Sequence, residues 1–401
     1  MAETTGTSGM MSRTLERKPR VLIVGTEFDF SREPRIIQEI LALGDDVELY
    51  GAGKGSHPSI KKFLDHTENR SLVDRVLDKL LIILKYYAPW LLRFRHRKLL
   101  AWIDEIKPDV VSTHHLESAY IVLDKSNYLT FNSHEYIPRM YDGSFLWRWT
   151  KGWLIRRTMP AVLKKSKVMF VESEAVSRNY SNAFLSVPEV AIIPNATRER
   201  RDIKPVLTNK APIKLVHHGI ASPGRGLEMM IEAARKLGDK VTLSLYLVGS
   251  EHNINQLKNY AAGAQNVIFK APVLYDKIVD EMNQYDIGVC MFRSSNYHTL
   301  YTTVPNKFWE YLTARVVPLV WDKSAMAEVL NAYKIGLQAQ ENSVQGIIDA
   351  VHAVTLNEIN EQKQKIDANS GQFSAEVLID PVLRRYIPGL SPSVAYNFKS
   401  A

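Results

Sequence analysis

Short apolar runs and stretches of helical spacing alternate along most of the chain. Val21–Gly25 is an apolar run after a basic tail. In Pro34–Leu43, the residues Ile36, Ile37, Ile40 and Leu41 fall on one side of a helix; Pro34 suits its first turn and Gly44 its exit. Val47–Tyr50 reads as the next strand. Asp109–Thr113, Tyr128–Asn132, Val168–Val171 and Val190–Pro194 read as further buried strands, with helical stretches between them. The polar segment Ala196–Pro212 carries Pro205, Pro212, Arg198, Arg200, Arg201 and Lys204, and reads as an interdomain linker. The rhythm then restarts. Ile213–His218, Val241–Val248, Val267–Val273, Asp286–Phe292 and Val316–Trp321 are expected strands; Leu227–Leu237, Ile254–Ala262, Tyr275–Gln284, Lys307–Thr313 and Ala325–Ala332 are expected helices. Alternation of this kind predicts an α/β class with parallel sheets covered on both faces. Two such open units facing each other place ligands beyond the carboxyl ends of the strands, in the cleft between them.

Composition agrees. A chain of 401 residues is long enough for two domains, and 45% apolar with 23% charged residues excludes a disordered, collagenous or disulfide-stapled protein. The formal net charge of +8 suggests contact with polyanions or anionic lipid. The single cysteine, Cys290, excludes an intramolecular disulfide and fits a reducing cytosol. Residues 1–18 read as a loose polar tail. The longest apolar run, Leu80–Leu92, contains Lys85 and Pro89 and falls short of the ~20 residues that span a bilayer.

The most informative stretch is Leu215–Leu227, LVHHGIASPGRGL, running into a helix. Gly219, Gly224 and Gly226 let backbone approach a ligand, the helix start offers free amides to phosphate, and Arg225 adds a cation that grips phosphate oxygens in two places. The bland alternative is an ordinary strand-to-helix turn with a solvated arginine. In VPNKFWEYLTARVVPLV, Pro305 and Asn306 open a helix on which Lys307 and Glu310 share a face. An anion can meet Lys307, and a carboxylate one turn later can accept from two ribose hydroxyls. The bland alternative is a surface helix with a Lys–Glu pair. Two cationic loops over one sheet edge favour a nucleotide diphosphate site.

PNKFWEYLTA followed by VVPLV resembles a signature block of nucleotide-sugar-dependent glycosyltransferases of the GT-B fold, family 4 (group 1) type. SPGRGLEMMIEAARKL is similar to the family's donor-loop block, YDIGVCM to the strand before it, and SHEYIPR at Ser133–Arg139 to a block in the amino-terminal half. The resemblance implies two facing Rossmann-like domains with a last helix crossing back to the first. It implies that Arg225 holds the donor diphosphate, Glu310 the ribose, and His134 lies near the donor sugar. Two departures stand out: Ile220 replaces a second basic residue after Gly219, and Thr302 replaces a second glutamate near the donor sugar.

On the first half, His134 and Glu135 follow a strand and are expected at the cleft as catalytic groups. His114 and His115 end another strand and are alternative bases. Arg32 and Arg35, in the loop EFDFSREPR, are candidates for an anionic acceptor. No metal-ligand spacing is present, so the diphosphate charge falls to basic residues, with the nucleotide sugar as co-substrate and no cofactor. Lys79–Ile103 and Gly143–Val171 are basic, free of acids, and hold five of the seven tryptophans. Phe145, Trp149 and Trp153 recur every four residues, as on one helix face. With Trp90, Arg93, Arg95 and Trp147 they suit an anionic membrane surface; the bland alternative is core helices with solvated edges. No nucleic-acid module accompanies these residues.

The expectation is therefore a metal-independent glycosyltransferase, cytoplasmic and peripheral on the inner membrane face, active in surface glycan biosynthesis. It would move a sugar from a UDP or GDP donor to a saccharide or lipid-linked acceptor. Residues 19–197, plus 373–401 crossing back, would form the acceptor and membrane domain, and 205–372 the donor domain. A nucleotide-sugar epimerase and an inert membrane-bound assembly partner are the alternatives.

Overall fold

The computed structural model describes residues 17–66, 80, 95–140, 143–293 and 301–390. They build two wholly parallel sheets. The first has β1 (Arg20–Asp29), β2 (Glu48–Lys54), β3 (Lys62–Asp65), β4 (Val110–His114), β5 (Leu129–Asn132), β6 (Val168–Val171) and β7 (Glu189–Ile192), in the order β3-β2-β1-β4-β5-β6-β7. The second has β8 (Ile213–Ile220), β9 (Val241–Val248), β10 (Val267–Lys270), β11 (Ile287–Cys290), β12 (Val317–Trp321) and β13 (Leu337–Ala339), in the order β10-β9-β8-β11-β12-β13. This is the doubly wound, two-domain architecture that the alternation predicts.

The central strand β1 shows why its run is uniformly apolar. Val21 and Ile23 face one way, onto Ile36, Ile40 and Leu43 of the helix Pro34–Leu43. Leu22 and Val24 face the other way, onto Leu99, Ile103 and Ile106 of the helix Arg97–Ile106. A strand covered on both sides has no polar face to alternate with.

Several expectations change. β1 continues to Asp29, with a register shift against β2 after Val24. β10 stops at Lys270, short of Pro272, which has no N–H for a ladder. Tyr275–Gln284 divides into a 3-10 turn, Tyr275–Lys277, and a helix, Ile278–Met282. The edge strands β3 and β13 and the helices Val344–His352 and Leu356–Ala368 add to the expected set.

The basic linker is neutralised from within. Arg198 pairs with Asp380 at 2.6 Å and donates to Gln38 O, and Arg200 bridges Asp202 and Asp280. Its cations are therefore largely structural rather than a polyanion surface. The last described residues return to the first domain. The helix Asp380–Arg385 packs on Pro34–Leu43, Arg384 pairs with Asp46 at 2.7 Å, and Ile387 joins the apolar cluster around Val21.

The membrane segments fare unevenly. Trp90 and Arg93 lie outside the described residues, as do most of Leu80–Leu92. Arg95 is half-buried just before Arg97–Ile106, whose Trp102 meets Tyr50 edge-on, so this part packs inward. The single face expected for Phe145, Trp149 and Trp153 is broken at Thr150, between the helices Phe145–Trp149 and Lys151–Lys165. Trp147 lies against Gly152, and Trp153 is half-buried. Phe145, Leu146 and Trp149 remain as an exposed apolar group, 72%, 65% and 45% exposed. Among the described residues, no helix is long and apolar enough to cross a membrane.

One buried ion pair locks the second sheet to its outer helices. Asp286, just before β11, accepts from Lys214 N at 2.8 Å, from Lys363 Nζ at 2.7 Å and from the Thr208 hydroxyl. Both charged side chains are essentially inaccessible. Asp286→Ala, which strands the Lys363 ammonium, is expected to cost about 3–5 kcal/mol, read as a lower urea midpoint. The double variant Asp286→Leu/Lys363→Met should recover most of it; a single variant no worse than the double would contradict this account.

Candidate active site

The donor side is built at the carboxyl ends of β8 and β11. β8 ends through Gly219 and runs into a loop that turns at Gly224 and Gly226, all three glycines at positive φ. Gly226 caps the helix Leu227–Leu237, and a Cβ there would stand 2.6 Å from Met291 O. Gly219 is held open for another reason: Lys307 Nζ lies 3.1 Å from where its Cβ would be. Arg293 N donates to Gly224 O at 3.0 Å, pinning the loop to the end of β11. The Arg225 guanidinium and the Lys307 ammonium both sit 5.7 Å from the Phe292 ring centroid, so one aromatic ring gathers the two cations. Ile220 is about half exposed at the loop's start, so no second cation stands there.

Lys307 and Glu310 belong to Asn306–Thr313, opened by Pro305, and this helix is buried rather than on the surface. Each charged group meets a histidine of β8. His217 Nδ1–H donates to Val289 O at 2.8 Å, which leaves Nε2 to accept from Lys307 Nζ at 2.9 Å. Glu310 Oε2 lies 3.2 Å from His218 Nε2. Burial pushes the Lys307 ammonium down to about 8 and the Glu310 carboxyl up to about 7, the latter opposed by Lys307. Burial, then the Lys307 charge, pushes His218 down to about 3 and holds His217 well below the usual histidine range. The site thus keeps two neutral imidazoles beneath an ammonium and a carboxyl poised near neutrality.

The first domain offers a loop at the end of β5. Ser133 is tied to Phe170 O through its N–H and to the Tyr180 hydroxyl at 2.6 Å. His134 follows at φ +49, and Phe28 stacks on its ring. Glu135 follows with an exposed side chain; desolvation raises its carboxyl and the Arg225 charge of the second domain lowers it.

The acceptor candidates separate. Arg32 is exposed, 4.0 Å from Asp29. Arg35 is buried at the domain seam, donating to Asn195 Oδ1 at 3.3 Å, and so is not a free acceptor contact. His114 is wholly enclosed and cannot reach an acceptor as a base; His115, half-buried, lies 3.7 Å from Glu27. Thr302 acts at the seam through its backbone: its carbonyl accepts from Ser173 Oγ at 2.9 Å.

Residues 212–357 match the family described as glycosyl transferases group 1. This match covers most of the second domain. No curated protein matches the sequence. Solved structures match nearly the whole chain. Sucrose-phosphate synthase from Thermosynechococcus elongatus aligns at TM-score 0.67 and 11% identity, over 90% of this chain and 96% of that one. Anabaena HepE in complex with UDP and glucose aligns at 0.64 and 11%, over 89% and 96%. A putative UDP-N-acetylglucosamine 2-epimerase from Listeria monocytogenes aligns at 0.57 and 12%, over 92% and 95%. At such identities the likeness shows the fold, which is GT-B.

The candidate site also contains groups that the sequence reading does not single out. His217 and His218 were visible as the HH before Gly219. Glu172 was not. It follows β6, accepts from Asn195 Nδ2 at 3.0 Å, and is pushed up to about 8 by burial and by Glu135. Asn195 also donates to Val304 O at 3.0 Å, so this cluster ties the domains beside the donor helix.

Glu310 supplies a test free of any ligand. Its carboxyl rises from the ordinary 4.5 to about 7 on folding. Between those values the folded chain keeps a proton that the unfolded chain releases, so wild-type stability falls as pH rises. Glu310→Gln carries no such proton. From about pH 5 to about pH 8, the stability difference should move in favour of the variant by up to about 3 kcal/mol. A pH-independent difference would contradict the burial of this carboxyl.

Proposed function

We propose that the chain is a nucleotide-sugar-dependent glycosyltransferase of the family 4 type, taking a UDP or GDP donor and a saccharide or lipid-linked acceptor in surface glycan biosynthesis. The observation that carries this reading is the pair Arg225 and Lys307 over the Phe292 ring, with Glu310 one helical turn beyond Lys307. The two cations would hold the diphosphate, helped by the amides at the start of Leu227–Leu237. Glu310 would accept from the ribose hydroxyls. In the transfer, the bond from the anomeric carbon to the diphosphate breaks, one to the acceptor oxygen forms, and the acceptor proton leaves. The departing charge is then met by cations already in place. His134 and Glu135 would stand at the sugar from the other domain. The HepE complex with UDP and glucose supports the donor class.

A donor panel scored for nucleoside diphosphate release tests this. Arg225→Ala and Glu310→Ala should each lower kcat/KM by on the order of 10²–10³-fold. Release that does not depend on acceptor and yields an epimerised sugar would favour the epimerase reading, which the Listeria likeness keeps open. Release from every donor unchanged in both variants would contradict the site.

We propose further that residues 19–197 form the acceptor side, lying peripherally on an anionic inner membrane face through Phe145, Leu146 and Trp149. Arg148, Lys151, Arg156 and Arg157 flank this group. Vesicles with about 30% anionic lipid should sediment the protein at low salt, less at high salt, and less again for Phe145→Ser/Trp149→Ser. Equal binding to neutral vesicles would remove the electrostatic part.

A further inference from the structure

Three side chains of the first domain form an unbroken line. Glu39, on the buried side of Pro34–Leu43, has Oε2 2.8 Å from His114 Nε2. His114 Nδ1 lies 2.8 Å from His134 Nε2. Glu39 and His114 are enclosed, 2% and 0% exposed. The far nitrogen, His134 Nδ1, is 3.8 Å from Glu33 Oε1, beyond hydrogen-bond range. Phe28 lies parallel to the His134 ring, with centroids 4.8 Å apart and planes 9° from parallel, and edge-on to His114. The imidazole is therefore fixed in both position and plane.

Proton positions follow along this line. A carboxylate only accepts, and a neutral imidazole carries one N–H and one lone pair. Burial, then the nearby Arg35, His114 and His115, hold His134 well below the usual histidine range, so its resting form is neutral. With Glu39 accepting, the His114 proton is on Nε2 and its Nδ1 is bare. The 2.8 Å contact then needs the proton of His134 on Nε2. We propose that Glu39 and His114 are positioning residues that hold His134 in the Nε2-protonated tautomer, presenting a bare Nδ1 in the cleft as acceptor for a sugar hydroxyl. The ligand rests on the glycosyltransferase reading; the tautomer does not. The charged groups around Nδ1 are Glu33 before the helix, Arg35 within it, and His115 after β4. A group approaching there meets two acceptors, Nδ1 and Glu33 Oε1, so a donor suits the position and a bare acceptor does not.

The test is a long-range 15N–1H correlation spectrum of the whole, ligand-free chain with 15N-labelled histidine. The wild type should show a pyridine-like Nδ1 and a pyrrole-like Nε2 at His134. Glu39→Gln, of equal size, lets an amide N–H face His114 Nε2. That reverses both protons, so His134 Nδ1 should gain pyrrole character. Glu39→Asp keeps the carboxylate and should keep the wild-type tautomer. A pyrrole-like Nδ1 in the wild type, or a spectrum unmoved by Glu39→Gln, overturns the proposal. In turnover, Glu39→Gln should lower kcat by on the order of 10²-fold with nucleoside diphosphate affinity unchanged, and Glu39→Asp should restore part of it. Full turnover by a tautomer-reversed Glu39→Gln overturns the acceptor role. If the spectra behave as stated while the wild type turns over no nucleotide sugar, the glycosyltransferase reading fails and the positioning stands.

Discussion

The ammonium of Lys307, held in apolar surroundings against one neutral imidazole, is the contact around which the second domain is arranged. A buried cation is costly unless it is paired. His217 accepts from it because Val289 O takes the other ring proton, and that needs β8 and β11 side by side in register. Gly219 must lack a side chain for the ammonium to reach the cleft edge. The open glycine loop, the adjacent strands and the largely buried helix Asn306–Thr313 are parts of one solution to placing a positive charge at the carboxyl edge of the sheet.

The first domain meets this with a different arrangement. Its cleft loop is held by Phe170 O and by Tyr180, and its histidine by a carboxylate two side chains away. The second domain thus presents cations and the first a lone pair. Between them run seam contacts from Ser173 to Thr302 and from Asn195, itself tied to Glu172, to Val304. The returning helix Asp380–Arg385 adds a second crossing. The relative placement of the two domains therefore rests on buried polar contacts beside the donor helix, where any domain motion is felt at the site.

Much of this was legible in the sequence. Strands buried on both faces leave unbroken apolar runs, so β6 and β9 were readable to the residue. The glycines mark the candidate donor loop because its positive-φ turns favour them, and Pro305–Asn306 mark the start of the next helix. The edge strands β3 and β13 were not readable, since short half-exposed strands carry no distinctive pattern. The tryptophan segment misled through its spacing: a four-residue repeat says nothing of a break at Thr150.

By itself the sequence determined the two-sheet α/β plan and singled out Arg225, Lys307 and Glu310 as candidate donor residues. Each is announced by local chemistry: Arg225 by a glycine loop just after a strand, Lys307 and Glu310 by the helix start at Pro305–Asn306. The tertiary structure alone decided which charges are spent inside the protein. Arg198 and Arg35 look like free cations in the chain and lie in ion pairs or the seam; Glu39 looks like a helix-surface acid and ends a buried histidine line. Pairing of that kind joins residues far apart in sequence, and only packing brings them within hydrogen-bond range.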